Sequence, residues 1–371
     1  MKYYVIAGEA SGDLHASNLM KHLLLKDRDA DFRFWGGDKM KSVGGELVIH
    51  YKEIAFMGFS EVIMNLRTIL NNISFCKKDI QNYKPDALIL VDYPGFNLRI
   101  AEWAKANGYK VFYYISPQIW AWKQSRVHKI KKVVDKMYCI LPFEKDFYKR
   151  FDYAVEYVGH PLLDAIKSDE LLPASEVRLK YNLGNDKVIL LLPGSRKQEV
   201  KSMLKVMVEV AQKNPQYRYI IAGVKSLSPE FYKENIGEAN IEIISGNTYE
   251  LLSVAHAAMV TSGTATLETA LFEVPEVVCY KGSKISYEIA KRLIKVKYIS
   301  LVNLILDKPV VKELIQDEMN ANKLSEELLS ITSEGQKRSA LMAEYKNLKQ
   351  ILGGGGASEK VATSIVNALK K

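Results

Sequence analysis

The stretch "AAMVTSGTATLETALFEVPEVVCY", Ala257–Tyr280, contains two short apolar runs separated by a segment of helical length. The first run ends on Ser-Gly-Thr, which suits the start of a helix, and the second run follows Pro275. Continuous rather than alternating apolar runs, joined by helices, are typical of a parallel sheet that is covered on both faces. This stretch therefore predicts a strand, a helix and a second, parallel strand.

The same pattern recurs along most of the chain. A polar segment around residues 165–185 interrupts it, and the pattern restarts at Lys187. We therefore expect an α/β protein with two Rossmann-like parallel-sheet domains facing across a cleft, at residues 1–165 and 166–350, followed by a Gly-rich hinge and a terminal helix at 351–371. The apolar runs that predict strands are "KYYVIAG", "FRFWGG", "ALILVD", "KVFYYIS", "KMYCILPF", "KVILLLPG", "YRYIIAG", "IEIISG", "AAMVTSG" and "EVVCY".

Composition excludes several classes of protein. The 371 residues are too many for one comfortable core, and 48% hydrophobic with 26% charged residues is ordinary for a globular chain. Glu9 and Asp13 interrupt the first apolar run before a signal-peptide core would end, and no stretch reaches 18 apolar residues. Three scattered cysteines without CxxC spacing indicate a reducing compartment and no zinc site.

The net charge of +9 is concentrated in one segment. Residues 123–150 hold nine Lys or Arg against three acidic residues. Phosphates, nucleic acid or an anionic membrane surface could use this charge, and a solvated helix face would explain it equally well. Because the segment contains no recognised nucleic-acid motif, we expect no nucleic-acid partner.

Ligands of open parallel sheets bind outside the carboxyl ends of the strands. The unusual small, polar or charged clusters all follow predicted strands, with some in each half of the chain. This placement is what predicts a ligand cleft between two domains. The clusters are "AGEASGD", "DYPGFN", "SPQIWAW", "PGSRKQE" and "TSGTATLE".

The clusters of the second half suit a nucleotide. Ser262, Gly263 and Thr264 offer small side chains and backbone N–H groups to a phosphate where a helix begins, and Glu268 lies within reach of a sugar hydroxyl. Arg196 can contact phosphate through two N–H groups. Ordinary helix capping remains the alternative. GxGxxG and Gly-Lys-[Ser/Thr] are absent from these loops, so neither a nicotinamide cofactor nor a P-loop is expected.

Asp92 is the preferred general base, because it ends a wholly apolar strand where partial burial would raise its proton affinity. Helix capping is its alternative role, and Glu9 and Asp13 are competing carboxylates. No HxxxH or HExxH pairing is present, so no metal is expected, and His160 is interpreted as a hydrogen-bonded structural residue. The segment "IAFMGFSEVIMNLRTILNNISF" is apolar on more than one face, which favours either core packing or a surface for acyl chains.

Together these motifs resemble the lipid-A-disaccharide synthases, GT-B glycosyltransferases of Gram-negative bacteria. The similarity runs over almost the whole chain and is more specific than any single motif, because nine motifs occur in the expected order. They are "AGEASGDLHA", "FMGFSEV", "VDYPGFN", "SPQIWAWKQSRVHKI", "LPFEKDFY", "VGHPLLD", "LPGSRKQEV", "SGTATLE" and "YISLVNL".

The resemblance implies inverting transfer of 2,3-diacylglucosamine from its UDP donor to the 6-hydroxyl of 2,3-diacylglucosamine 1-phosphate (lipid X), with release of UDP. It implies that Asp92 is the catalytic base and that Arg196 is required, as a phosphate ligand. It also implies that no cofactor is needed and that the enzyme lies in the cytoplasm on the anionic inner-membrane surface; a homodimer is left open.

The loops of the matched motifs are expected to bind substrate. Two positions depart from the family pattern: Gly95 stands where the family commonly has a second aspartate, so Asp92 is the one base candidate in that turn, and Val302 stands where the family commonly has proline. The expected substrate-binding residues are Glu9, Ser11, Gly12, Asp13, Asn97, Ser116, Trp120, Ser195, Ser262, Gly263, Thr264, Glu268 and Asn303.

Two other functions fit the same residues. One is another GT-B reaction on a donor of the UDP-N-acetylglucosamine type, which use of a donor without acyl chains would favour. The other is a non-catalytic, lipid-binding protein of the membrane surface, which would bind lipid without releasing UDP. Asp92 and Arg196, both intact, argue against the second.

Overall fold

The computed structural model describes residues 1–54, 66–166, 171–283, 287–288, 291–292 and 296–370. They belong to two compact units: unit 1 comprises Met1–Lys167 and Leu352–Lys371, and unit 2 comprises Ser168–Ile351. Each unit has one sheet, and every strand pairing in it is parallel. The predicted α/β class with two parallel sheets is therefore confirmed.

The sheet of unit 1 has seven strands, in the order β3-β2-β1-β4-β5-β6-β7. They are β1 Lys2–Ala7, β2 Asp31–Gly36, β3 Glu46–His50, β4 Ala87–Val91, β5 Val111–Tyr114, β6 Lys136–Cys139 and β7 Glu156–Tyr157. The described α-helices of this unit are α1 Ala10–Lys26, α2 Asp38–Val43, α3 Leu66–Tyr83, α4 Pro94–Ala106, α5 Ile119–Trp122, α6 Val127–Val133, α7 Glu144–Lys149, α8 Leu162–Ile166 and, at the C-terminus, α17 Ala357–Leu369.

The sheet of unit 2 has six strands, in the order β10-β9-β8-β11-β12-β13. They are β8 Val188–Leu192, β9 Arg218–Gly223, β10 Glu242–Ser245, β11 Ala257–Thr261, β12 Glu276–Tyr280 and β13 Lys312–Ile315. The described helices are α9 Ala174–Lys180, α10 Lys197–Lys213, α11 Pro229–Ile236, α12 Thr248–Val254, α13 Thr264–Leu271, α14 Leu301–Leu306, α15 Ala321–Thr332 and α16 Gln336–Leu352. Short 3-10 turns occupy Tyr51–Glu53 and Gln124–Arg126 in unit 1 and Gln316–Glu318 in unit 2.

Both sheets have the doubly wound Rossmann order, in which the direction of winding reverses beside the first strand. The reversal lies between β1 and β4 in unit 1, where Ala7 pairs with Val91. In unit 2 it lies between β8 and β11, where Leu192 pairs with Val260. Ligands of such sheets bind in the crevice outside this point, so a site is expected at the segments that leave these four strands.

All ten strands predicted from apolar runs are present, and the structure adds β3, β7 and β13. Each of the three additional strands is the last strand at an edge of its sheet. Edge strands are short and partly exposed, and these three mix charged with apolar residues, so they lack the continuous apolar pattern of the central strands. This explains why the sequence pattern did not reveal them.

The C-terminal helix α17 packs against α1 and contributes Val361 and Ile365 to the core of unit 1. Asp164 holds the start of this helix, because its carboxylate accepts hydrogen bonds from the N–H groups of Gly356 (2.5 Å) and Ser358 (3.0 Å). The tetraglycine segment before α17 thus belongs, from Gly353 onward, to unit 1.

The apolar segment 54–75 is described only in part, and residues 55–65 lie outside the described residues. Within α3, Ile73 and Cys76 are buried, whereas Leu70 and Phe75 are about half exposed. Among the helices that the structure describes, none combines the length and apolar character needed to cross a bilayer.

Candidate active site

Asp92 follows β4 directly, at the switch point of unit 1, and its side chain is half-buried. Burial raises the pKa of its carboxyl to about 7, the charge of Glu9 adds to the rise, and a hydrogen bond from the N–H of Tyr93 opposes it. A base works best when its pKa lies near the working pH. The environment of Asp92 therefore suits a general base.

The loop after β1 lies beside Asp92. Glu9 precedes α1 and is half-buried, and Ser11 is exposed in the first turn of this helix. Gly12 is buried, and a Cβ added there would lie 3.3 Å from the Cβ of Ala7. The absence of a side chain at Gly12 therefore lets α1 approach β1 closely.

Asp13 lies in the first turn of α1, and its carboxylate is bound inside the protein. It is buried, and its carboxylate accepts hydrogen bonds from the backbone N–H groups of Gly37 (2.7 Å), Lys39 (3.1 Å) and Met40 (3.1 Å). These are groups at the start of α2, which otherwise lack partners within the helix. The role that the structure gives to Asp13 is to cap α2 rather than to compete with Asp92 as a base.

Ser116 and Trp120 follow β5 and are both buried. The Ser116 hydroxyl lies 2.8 Å from the hydroxyl of Tyr148, and the indole N–H of Trp120 donates to Glu144 at 3.2 Å. Glu144 is also buried and accepts the N–H groups of residues 140 and 141 at 3.1 and 2.9 Å. The polar atoms of Ser116 and Trp120 thus anchor their loop to α7.

In unit 2, the turn after β8 presents Ser195 and Arg196 to solvent. Glu199, one turn into α10, accepts the N–H of Ser195 at 3.3 Å and a guanidinium N–H of Arg196 at 2.7 Å. Gly194 has φ +111°, and a Cβ there would come within 2.8 Å of Glu199. The Arg196 side chain is 53% exposed, so a ligand can reach it while Glu199 orients it.

The turn after β11 lies on the other side of the switch point of unit 2. Gly263 and Thr264 are exposed at the start of α13, and the Gly263 position lacks a side-chain cap. The Ser262 hydroxyl donates to the carbonyl of Ile299 at 2.9 Å. Exposed N–H groups at a helix start are a ready site for an anion.

Glu268 is half-buried one turn into α13, and the hydroxyl of Tyr249 donates to its carboxylate at 2.8 Å. Burial raises the pKa of Glu268, and this hydrogen bond opposes the rise. Tyr249 itself packs against Phe272, with ring centroids 5.5 Å apart. The carboxylate is thereby held in one orientation.

Asn303 and His160, which the sequence analysis considered for ligand contacts, are both buried. The Asn303 amide donates to the carbonyl of Val311 and to Glu313, and its oxygen accepts the N–H groups of residues 310 and 311, all at 2.8–2.9 Å. Every donor and acceptor of this side chain is thus occupied, so its role is to hold the loop before β13. His160 accepts the N–H of Leu162, and burial lowers the pKa of its imidazole to about 3.

Sequence reasoning missed three residues whose carboxylate or phenol holds a predicted site residue in place. They are Glu144, Glu199 and Tyr249. Glu199 stands in the quoted "PGSRKQE", three residues after Arg196, a spacing that indicates contact on a helix. Glu144 stands in "LPFEKDFY", but nothing in the sequence says that it faces Trp120. Tyr249 lies in a helix without any motif, and no signal in the sequence could have found it.

A family model described as lipid-A-disaccharide synthetase matches residues 3–365 of the chain. This match spans both sheets and every loop discussed above. The chain belongs to the lipid-A-disaccharide synthase family. The resemblance stated from the motifs is thereby confirmed, and the family is one of glycosyltransferases that form the disaccharide of lipid A.

Relatives in the lipid-A-disaccharide synthase family support this over the full length. The enzyme of that name from Syntrophus aciditrophicus is 40% identical over 375 residues, which cover 99% of this chain and 97% of the relative. That of Myxococcus xanthus is 38% identical over 373 residues, with 98% and 97% coverage.

Solved structures extend the likeness in fold. A UDP complex of MnaA from S. aureus superposes with a TM-score of 0.70 at 14% identity, covering 100% of this chain and 97% of that one. The UDP-GlcNAc 2-epimerase of Neisseria meningitidis, solved with UDP-GlcNAc, gives 0.68 at 12% identity, covering 99% and 100%. At these identities the likeness shows the fold alone, and it agrees with the GT-B class expected for lipid-A-disaccharide synthases.

Proposed function

We propose that the chain transfers 2,3-diacylglucosamine from UDP-2,3-diacylglucosamine to the 6-hydroxyl of lipid X, with inversion, and releases UDP. Family membership supports the reaction type. The observation that carries the residue assignment is the half-buried Asp92, whose carboxyl has a pKa near 7 at the switch point of unit 1.

On the acceptor side, we assign Asp92 as the general base. Its carboxylate removes the proton from the 6-hydroxyl as that oxygen attacks the anomeric carbon of the donor. The sugar then inverts and the bond to UDP breaks. Glu9, which contributes to the raised proton affinity of Asp92, lies in the neighbouring loop and is assigned to bind the acceptor together with Ser11. General base assistance typically contributes about 10²–10⁴-fold to a rate.

On the donor side, we assign Arg196 and the start of α13 to UDP. The half-exposed guanidinium and the N–H groups of the exposed residues Gly263 and Thr264 are positive groups suited to the diphosphate, whose negative charge grows as it departs. Glu268, fixed by Tyr249, is assigned to a sugar hydroxyl of the donor. Ser195 and Ser262 lie in the same two turns and are also assigned to the donor.

The reaction is tested by mixing the purified protein with UDP-2,3-diacylglucosamine and lipid X in mixed micelles and following UDP release and product mass. We expect one UDP per tetraacyl disaccharide monophosphate. UDP release from UDP-N-acetylglucosamine, but not from the acylated donor, would instead favour a different GT-B reaction. Lipid binding without UDP release from either donor would favour a non-catalytic role.

The enzyme is further proposed to work on an anionic membrane surface, where its acylated substrates reside. Trp122 is 47% exposed, and the cations of Lys123 and Arg126 lie 5.7 and 5.0 Å from its ring centroid. Lys131 and Lys132 are exposed on the following helix. Tryptophan favours the membrane interface, and each Lys or Arg near an anionic bilayer contributes roughly 1 kcal/mol.

Sedimentation with vesicles tests this surface. The wild type should bind phosphatidylglycerol vesicles, and the double variant Lys131→Glu/Lys132→Glu should lose most of that binding. The matched control Lys205→Glu/Lys346→Glu makes the same change of net charge at exposed residues of unit 2. Equal losses in both double variants would reduce the effect to net charge and contradict the assignment.

A further inference from the structure

The turn after β4 has an uncommon backbone conformation at two consecutive residues. Asp92 has φ +46° and Tyr93 has φ +49°. This left-handed region is tolerated by aspartate but is rare for a bulky aromatic residue. Such conformations persist only where the surrounding structure fixes them, and they cluster at functional sites.

Two buried side chains hold the main-chain carbonyl of Asp92. The hydroxyl of Tyr113 donates to this oxygen at 2.5 Å, and the amide of Asn97 donates to it at 2.7 Å. Both side chains are fully buried. Tyr113 comes from β5, the neighbouring strand, and Asn97 comes from the first turns of α4. A carbonyl oxygen has two lone pairs, and these two hydrogen bonds use both of them. The peptide plane after Asp92 is therefore fixed.

Tyr93 is fixed as well, by different contacts. Its ring stacks on Phe96 with centroids 5.7 Å apart, and its hydroxyl donates to the carbonyl of Ile54 at 3.0 Å. A Cβ added to Gly8 would lie 2.4 Å from this ring, so glycine is required there. The backbone on both sides of the Asp92 carbonyl is thus locked, and the carboxylate projects from a rigid base.

We propose that Tyr113, together with Asn97, is a positioning residue for the glycosyl transfer. Neither side chain needs to touch substrate. Their hydrogen bonds to the Asp92 carbonyl hold the left-handed turn that directs the Asp92 carboxylate. This inference rests on the proposed function, in which that carboxylate is the base. It gives Asn97 the role of positioning the base rather than of binding substrate directly.

The test is a double-mutant cycle measured by steady-state kinetics. Tyr113→Phe should lower kcat about 10-fold and leave both KM values nearly unchanged, because a misdirected base slows the chemical step without weakening binding. In the Asp92→Asn background, the same loss of the hydroxyl should leave the residual kcat unchanged, since coupled residues are not additive. Asn97→Ser should show the same dependence on Asp92 and serves if Tyr113→Phe does not fold.

Tyr4→Phe is the matched control. Tyr4 is also a buried tyrosine of this sheet, and its hydroxyl donates at 2.6 Å to Asp79 instead of Asp92. It should lose thermal stability while keeping wild-type kcat. If Tyr113→Phe lowers kcat equally in both backgrounds, or no more than Tyr4→Phe does, the residue is merely structural and this inference alone is overturned. Wild-type turnover in Asp92→Asn itself would overturn the proposed function as well.

Discussion

The two units share one strand order, but the loops at their switch points differ in burial and charge. In unit 1 the loop after β4 is rigid and half-buried, and it holds a carboxylate whose pKa is raised to about 7. In unit 2 the corresponding loops after β8 and β11 are exposed and present a guanidinium and backbone N–H groups. The same fold thus provides a half-buried base in one unit and an exposed anion site in the other.

The largest expected effect is on the buried side of this comparison. Asp92→Asn should lower kcat by about 10²–10⁴-fold, because the amide cannot accept the proton of the attacking hydroxyl.

The same variant should change stability. The pKa of Asp92 is raised in the folded state, so the stabilising contribution of this carboxyl is fully present only below its unfolded-state pKa of 3.8 and is lost as pH rises through about 7. The variant should therefore have a higher Tm than the wild type at pH 8. A lower Tm there would attribute the kinetic loss to misfolding.

On the exposed side, Arg196→Ala should lower kcat/KM for the UDP donor by about 10²–10³-fold, as for removal of one group that stabilises a departing anion. Lys197→Ala is the control, because this neighbouring cation lies over the ring of Phe231. Initial rates at varied donor concentration distinguish the two variants. Equal losses would show that the positive charge of the segment, rather than Arg196, is what matters.

A smaller effect is expected at the partner of Glu268. Tyr249→Phe removes the hydrogen bond that orients this carboxylate, and donor KM should rise about 10-fold with little change in kcat. Tyr181→Phe is the control. It removes a comparable hydrogen bond, from the Tyr181 hydroxyl to Glu250 at 2.8 Å, and should leave donor KM unchanged. A rise in acceptor KM instead would contradict the assignment of Glu268 to the donor.

The smallest effect on turnover is expected where unit 1 uses a buried carboxylate for structure. Glu144→Ala leaves two buried N–H donors, those of Trp120 and Leu141, and the part-buried N–H of Ile140 without their acceptor. It should lower Tm by about 5 °C or more, because each buried donor without an acceptor costs about 1–3 kcal/mol. Glu102→Ala, which removes an exposed partner of Lys129, should change Tm little. Thermal unfolding of both variants gives the comparison.

The sequence predicted the central strands and the loops that follow them, because continuous apolar runs and the carboxyl ends of parallel strands follow simple rules. It could not predict which polar groups are already occupied. Asp13 and Asn303 stand in loops expected to bind substrate, yet their hydrogen bonds are used inside the protein. Tyr113 belongs to an ordinary apolar strand, and only the fold brings its hydroxyl to Asp92.

The most direct test of the account is the pH dependence of kcat/KM for lipid X in the wild-type enzyme, since this parameter reports the ionisation of the free enzyme. We expect kcat/KM to fall about tenfold per pH unit below a midpoint near 7, the pKa of the Asp92 carboxyl. A profile that stays flat from pH 8 down to about 5, near the pKa of an ordinary carboxyl, would contradict a general base of raised pKa at Asp92.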